Sequence, residues 1–301
     1  MLPAFAVTFL IFTFFVSSQH FDAWKGQTSG LVSPIERSRL LYDIVPLQPG
    51  EKGKCWFHGQ LPHAQDREVF KRIGGQIQDC EPAPVMGARY ISEAEICDCT
   101  PPTQAEFSKH FLEIGSADGQ YLSNLLFFEM QMNWRGFCVE GSPSSFEMLA
   151  VNRPKCITVN AVIGMDTGKK LFYTFDSPDS WEVGMSCMHG TSCASSEEQA
   201  RTYARDRNLR LAKDFVPMRR LSDIFAEHGI ADFGWIMIDV EGAEDIVVPT
   251  IDLTTISAKF ISYEGVHEEA ARHLEQGGYA KSFQAGPDVF YEATKAERSS
   301  S

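Results

Sequence analysis

The sequence predicts an α/β fold, a mostly parallel central sheet with helices on both faces, behind a loop-rich, cysteine-containing N-terminal extension. Three observations carry this expectation. Beyond residue 104, short apolar runs alternate with stretches at helical spacing. The first of these runs, Phe111-Leu112-Glu113-Ile114, leads into a turn holding Gly115 and Gly119. Before residue 105 the chain is instead rich in proline and cysteine, with poor periodicity.

Residues 2–16 form a nearly unbroken apolar run without a charge. A membrane helix needs about 20 such residues, so this run suits the central region of a secretory signal cleaved near Ser18. No Lys or Arg precedes it, which keeps a short membrane anchor as the rival reading. A buried first helix is disfavoured by the lack of any polar face. The expectation is therefore a signal over 1–18, no stable membrane insertion after cleavage, and passage through the secretory pathway (ER or Golgi lumen, or secretion). The even count of eight cysteines fits an oxidising compartment with disulfides, although pairing is not readable from spacing. Cys97 and Cys99 form a C-x-C pair that raises zinc, but no second Cys or His cluster completes such a site. Cys138 falls inside a core strand and reads as a buried thiol.

Residues 19–104 read as a Pro/Cys-rich extension with some helical character at 64–73, and Pro101-Pro102 marks its boundary. The main domain covers 105–296, and 297–301 is a polar tail expected to be disordered. Within the domain, strands are expected at 111–114, 136–140, 156–163, 171–175, 216–221, 235–240, 260–263 and 289–291. Helices are expected at 120–132, 144–152, 197–213, 221–228 and 268–276. Residues 177–196, rich in Ser, Gly and Met, read as an irregular insertion.

Three segments carry chemistry. In Glu113-Ile114-Gly115-Ser116-Ala117-Asp118-Gly119, a strand ends beside an acid and a glycine turn follows. Ligands of open α/β sheets bind beyond the carboxyl ends of strands, and glycine lets backbone approach them closely. The pattern is G-x-x-x-G rather than the G-x-G-x-x-G of dinucleotide sites, and its flanking acids would repel a pyrophosphate. An acidic turn suits S-adenosylmethionine, which carries a sulfonium and an ammonium and no phosphate. Glu140 closes the next strand, 25 residues after Gly115, where a carboxylate can accept hydrogen bonds from both ribose hydroxyls. Asn160 and Ala161, at the end of the third strand, would then lie near the adenine. The third segment, Ile238-Asp239-Val240-Glu241-Gly242-Ala243-Glu244, runs a strand into three carboxylates. Helix capping is the bland account of these acids.

Together the three segments resemble the FkbM family of methyltransferases. The match rests on FLEIGSADGQYLSN (111–124), NWRGFCVEGSP (133–143), NAVIG (160–164) and IDVEGAE (238–244), and spans roughly 105–291. The resemblance implies a Rossmann-like class I methyltransferase fold and O-methylation of a hydroxyl on a sugar or other small molecule. By motif match, Glu113, Gly115, Asp118, Gly119 and Glu140 would hold S-adenosylmethionine, with Asn160, Ala161 and Asp239 beside it. The extension and the 177–196 insertion depart from the family where acceptor specificity is normally set.

An alcohol attacks a methyl group only as its proton is removed, so a general base is expected. Glu241 is the first candidate on motif position, followed by Asp239, Glu264 and His267. No metal site is assigned; the carboxylate spacing is not diagnostic of a divalent cation. The expected partner is a small-molecule or glycan acceptor. A net charge of −13 argues against nucleic acid, and the sequence leaves the oligomeric state open. Two other readings compete: a non-catalytic secreted or luminal interaction protein that keeps the fold, and a nicotinamide-dependent oxidoreductase, which the missing third glycine disfavours.

Overall fold

The computed structural model describes residues 46–59, 64–82, 95–103, 107–120, 122–176 and 185–294. The expected signal (1–18), the start of the extension, part of the insertion (177–184) and the tail (297–301) lie outside the described residues.

The extension folds as β1 (Gly53–Phe57), α1 (Gln65–Arg72), β2 (Gln76–Pro82) and β3 (Glu95–Thr100). The domain begins with β4 (His110–Ile114), α2 (Leu126–Met130), β5 (Arg135–Glu140), α3 (Pro143–Asn152) and β6 (Ile157–Asn160). An inserted segment follows: β7 (Val162–Ile163), β8 (Gly168–Asp176), β9 (Cys187–Met188), α4 (Glu197–Asp206) and β10 (Arg210–Arg219). The chain then returns through α5 (Leu221–His228), β11 (Asp232–Ile238), α6 (Glu244–Val247), β12 (Ser257–Glu264), α7 (Glu268–Gln276), β13 (Tyr279–Ala285) and β14 (Asp288–Ala293).

The central sheet has seven strands in the order β13-β14-β12-β11-β4-β5-β6. Its β6, β5, β4, β11 and β12 strands are mutually parallel, while β14 runs antiparallel to both its neighbours. The strands alternate between two buried faces. Leu112, Ile114, Phe137, Val139, Ile236, Ile238 and Ile261 pack one way, against Leu221, Ile224, Phe225, Val247 and Leu274 of the helices. Phe111, Cys138, Trp235, Met237 and Phe260 pack the other way, against Val69, Phe70, Phe127, Phe128 and Leu149. Such two-sided burial explains why these strands read as continuous apolar runs rather than alternating ones. The order reverses at β4, whose neighbours β5 and β11 come from opposite halves of the chain, so the crevice between their carboxyl ends is the natural ligand position.

The cysteine-containing extension carries regular structure between its loops: β1, β3 and β2 form an antiparallel sheet stapled by Cys55–Cys99 and Cys80–Cys97. The buried rings of Phe57, Phe70 and Phe127 meet at centroid distances of 4.6–5.7 Å. Gln131 pins the seam, accepting from Trp56 N at 2.7 Å and donating to the Lys54 carbonyl at 2.8 Å. Cys138 is likewise not a thiol. It bonds Cys156 and ties β5 to the turn before β6. With Cys187–Cys193, all eight cysteines are paired.

Other boundaries shift for local reasons. The helix expected over 120–132 shrinks to α2 because Leu122 takes a left-handed backbone (φ 51°) and Ser123 turns inward to bind Glu113. The strand expected over 156–163 breaks at Ala161, with β6 in the central sheet and β7 in a second sheet ordered β7-β10-β8-β9. The helix expected over 197–213 ends at Asp206. Asn208 is left-handed (φ 54°), and residues 210–219 pair along the whole of β8, overriding their weak strand propensity. The β13 strand was not expected, since YAKSFQA exposes most of its side chains and gains its place only by pairing with β14. Helix α7 matches its expected bounds, and α5 is closed by Gly229 in the left-handed conformation.

Candidate functional site

A cavity of about 710 Å³ opens at the carboxyl ends of β4, β5, β11 and β12. Its rim is stitched by main chain: Gly115 N and Ser116 N donate to the Val139 carbonyl, and Asp239 N donates to that of Ile114. Gly115 has φ 86°, and a Cβ there would lie 1.6 Å from the Asp239 carbonyl oxygen. Only glycine admits this approach. Three non-glycine residues with left-handed backbone, Ala117, Leu122 and Glu241, also line the cavity. Each such conformation costs about 1–3 kcal/mol and is concentrated where a site demands it.

On the β4–β5 side every carboxylate is held by protein donors. Glu113 is 2 % exposed and binds Ser123 Oγ at 2.8 Å and Arg153 Nη1 at 3.0 Å. Arg153, fully buried, also pairs through Nε with Glu129 at 2.5 Å. Burial raises the Glu113 pKa, and Arg153 and Ser123 oppose the rise. Glu140 accepts from Ala117 N at 2.8 Å and from Ser142 N at 2.6 Å. Burial pushes it up to about 7 against those donors. Gly141 N–H also faces the carboxylate, whose oxygens keep accepting capacity for hydroxyl donors. Ala161 lines the cavity, whereas Asn160 points its amide to the carbonyl of Glu140 at 2.9 Å and buttresses that strand end. Asp118 and Gly119 do not line the cavity. Asp118 accepts from Gln120 N within the turn, and a Cβ on Gly119 would meet Arg153 Cγ at 2.6 Å, so that glycine serves helix packing.

The β11–β12 side is the opposite. One carboxylate oxygen from each of Asp239, Glu241 and Glu264 lies within 4.8 Å of the other two. Burial, then the charges of Glu241 and Glu264, hold Asp239 well above the usual carboxylate range. Burial, Glu264 and Glu244 push Glu241 up to about 8. Behind them, burial and Glu264 push Asp288, the register partner of Glu264, up to about 7. Gln65 of α1 hydrogen-bonds Asp288, so the extension braces this end of the sheet. His267 does not line the cavity. Its Nε2 lies 3.2 Å from Glu244 and its Nδ1 3.4 Å from Asp245, at the start of α7.

Several lining or supporting residues escaped sequence reasoning. Arg153 and Ser123 neutralise and orient Glu113 from 40 and 10 residues away, a pairing that no local pattern announces. Phe172, Met185, Ser186 and Met188 form an outer wall supplied by the insertion. The Cys187–Cys193 disulfide holds that wall, and Ser192 packs against the Gly242 carbonyl. The methionine-rich composition of 177–196 was the available signal.

Against known proteins, the family model for the methyltransferase FkbM domain matches residues 113–280, more than half of the 301-residue chain. No curated protein matches. Among solved structures, the crystal structure of a precorrin-6y C5,15-methyltransferase from Geobacter metallireducens GS-15 is similar at 10% identity and a TM-score of 0.32, covering 62% of this chain and 80% of that one. A likeness that distant carries no argument here. The matched segment spans β4 to the start of β13 and contains Glu140 and the three clustered carboxylates, so the chain belongs to the FkbM family and is a methyltransferase.

Proposed function

We propose that the cavity binds S-adenosylmethionine and directs its methyl group to a hydroxyl of a sugar or other small molecule. The observation that carries this reading is the seating of the Glu140 carboxylate against the turn after β4, through Ala117 N, in the wall of the cavity. The residues fit the cofactor on three grounds. Gly115 lets the turn after β4 close onto the Asp239 carbonyl at the cavity wall, Glu140 keeps accepting capacity for hydroxyl donors, and the described lining residues include carboxylates but no Lys, Arg or His to oppose a cationic ligand. When bound, the cofactor supplies an electrophilic methyl on a sulfonium.

The remaining chemistry falls to this chain. Glu140 and the main chain of 115–117 hold the nucleoside end, while Ala161, Val162 and Ile163 offer an apolar face for a flat ring. Asp239, the residue after β11 and also a lining residue, is assigned a place beside the cofactor. Glu241 takes the acceptor proton; a carboxylate held near 8 is matched to that task around neutral pH. Phe172, against Gly141 and Val162, and its cross-strand partner Met188 add apolar wall at the β5–β6 end. Four disulfides require an oxidising compartment, which supports passage through the secretory pathway. Among the described residues no helix is long and apolar enough to cross a membrane.

Incubation with methyl-labelled cofactor and a panel of sugars and small hydroxyl compounds tests the activity. Label in an acceptor that survives base treatment, as a methyl ether does and a methyl ester does not, is the expected result. Label that transfers only to amines would contradict the hydroxyl assignment.

A further inference from the structure

We infer that Asp239, Glu241 and Glu264 form a binding site for a hard divalent cation of the magnesium–calcium class, at the acceptor end of the cavity. Oxygen–oxygen separations up to 4.8 Å match ligands arranged about one ion, since metal–oxygen distances of about 2.0–2.6 Å place opposite ligands at roughly twice that value. The donor set is all carboxylate oxygen, with no nitrogen or sulfur, which selects hard cations over zinc or copper.

Clustering of acids alone would not suffice. A second, independent feature is that Asp239 Oδ1 is sealed from solvent and accepts no hydrogen bond, although this carboxylate belongs to the cluster. Asp288, 4 % exposed and opposite Glu264 in the sheet register, likewise keeps Oδ2 without a donor. Basic side chains behind this cavity are committed elsewhere, Arg153 to Glu113 and Glu129, and His267 to Glu244 and Asp245. A buried carboxylate without a partner is costly, and metal coordination is one of the few ways to retain several together. The cluster lies on Glu241, whose left-handed backbone (φ 53°) turns the chain after β11 so that three acids from two strands converge. Each residue offers one oxygen to the ion.

The inference deepens the acceptor half of the proposed reading and rests on it for its purpose, which is to orient a hydroxyl-bearing acceptor through the open coordination positions. Binding itself can be read without cofactor. Titrating the full chain with Mn²⁺, followed by the electron paramagnetic resonance signal of the free ion, should show one ion per chain, displaced by Mg²⁺ or Ca²⁺. Glu264→Gln and Glu241→Gln should each weaken binding at least tenfold, and Glu198→Gln, an exposed acid remote in sequence, should not. Thermal melting guards against misfolding: in EDTA the two cluster variants should melt at or above wild type, and Mg²⁺ should raise the melting temperature of wild type only. Failure of folded wild type to bind Mn²⁺ stoichiometrically, or full binding by both cluster variants, would overturn the site. Cofactor titration in EDTA is scored separately. Cofactor binding without Mn²⁺ binding overturns the cation site alone, whereas Mn²⁺ binding without cofactor binding supports the cation site and contradicts the cofactor reading.

Discussion

The two ends of the cavity hold similar numbers of carboxylates and treat them in opposite ways. At the β4–β5 end, Glu113 is neutralised by Arg153 and Ser123, and Glu140 is cradled by two main-chain N–H groups. At the β11–β12 end, Asp239, Glu241 and Glu264 face one another, with no Lys, Arg or His among the described residues of the cavity lining. The first end is complete before any ligand arrives. At the second, burial and mutual repulsion hold Asp239 and Glu241 above the usual carboxylate range, a repulsion that the proposed cation would relieve. A methyl-transfer site needs this division, because the nucleoside must be held in one geometry while the reacting end gains and loses a proton and charge.

The comparison predicts opposite signs for charge removal at the two ends. Arg153→Met strands Glu113 and Glu129, two acids at most 2 % exposed. Loss of one partner from such a buried pair costs about 3–5 kcal/mol. Urea unfolding should show that loss; a change below about 1 kcal/mol would mean the first end is not held by this triad.

Glu241→Gln comes next in size. Turnover should drop about a hundredfold, the lower range for a general base, while cofactor affinity stays within about threefold. A capping role for Glu241 predicts nearly intact turnover, so steady-state kinetics and cofactor titration on one preparation separate the two accounts.

How much of this was legible in the sequence follows from distance along the chain. Strand ends were readable because apolar runs fix where β4, β5 and β11 stop, and Glu140 and Asp239 stand one step beyond or at those ends. The partners of the acids were not. Glu113 reads as a cofactor ligand by motif, yet its carboxylate is taken up by Arg153, 40 residues on. Gly119 has the spacing of a ligand-cradling glycine and serves the packing of α3 instead. His267 has a suitable chemistry for a base, but the N-terminal turn of α7 and the acids Glu244 and Asp245 hold it away from the cavity. The extension hid its sheet because disulfides and cross-strand pairing, rather than periodicity, hold β1, β2 and β3 together.

A smaller effect concerns pH. Burial raises Glu140 from its ordinary 4.5 to about 7, so the folded state favours the protonated form. Its contribution to stability is therefore full below about 4.5 and lost as pH rises through about 7. Cofactor binding should run the other way, because the ionised carboxylate is the better acceptor for a diol. Between pH 6 and pH 8 the affinity should rise severalfold while the melting temperature contributed by this group falls. Affinity that is flat with pH in wild type would detach Glu140 from the ligand.

The central claim is that the β4–β5 end is a preformed nucleoside site for S-adenosylmethionine. Isothermal titration calorimetry in EDTA tests it most directly, with wild type and Glu140→Ala compared against the cofactor, its demethylated product and NAD. Two lost hydrogen bonds at about 1 kcal/mol each should weaken both methyl-cycle ligands at least tenfold in the variant, with no NAD binding by either protein. Wild type that is folded yet binds neither methyl-cycle ligand, or binds them as well after Glu140→Ala, would contradict the account.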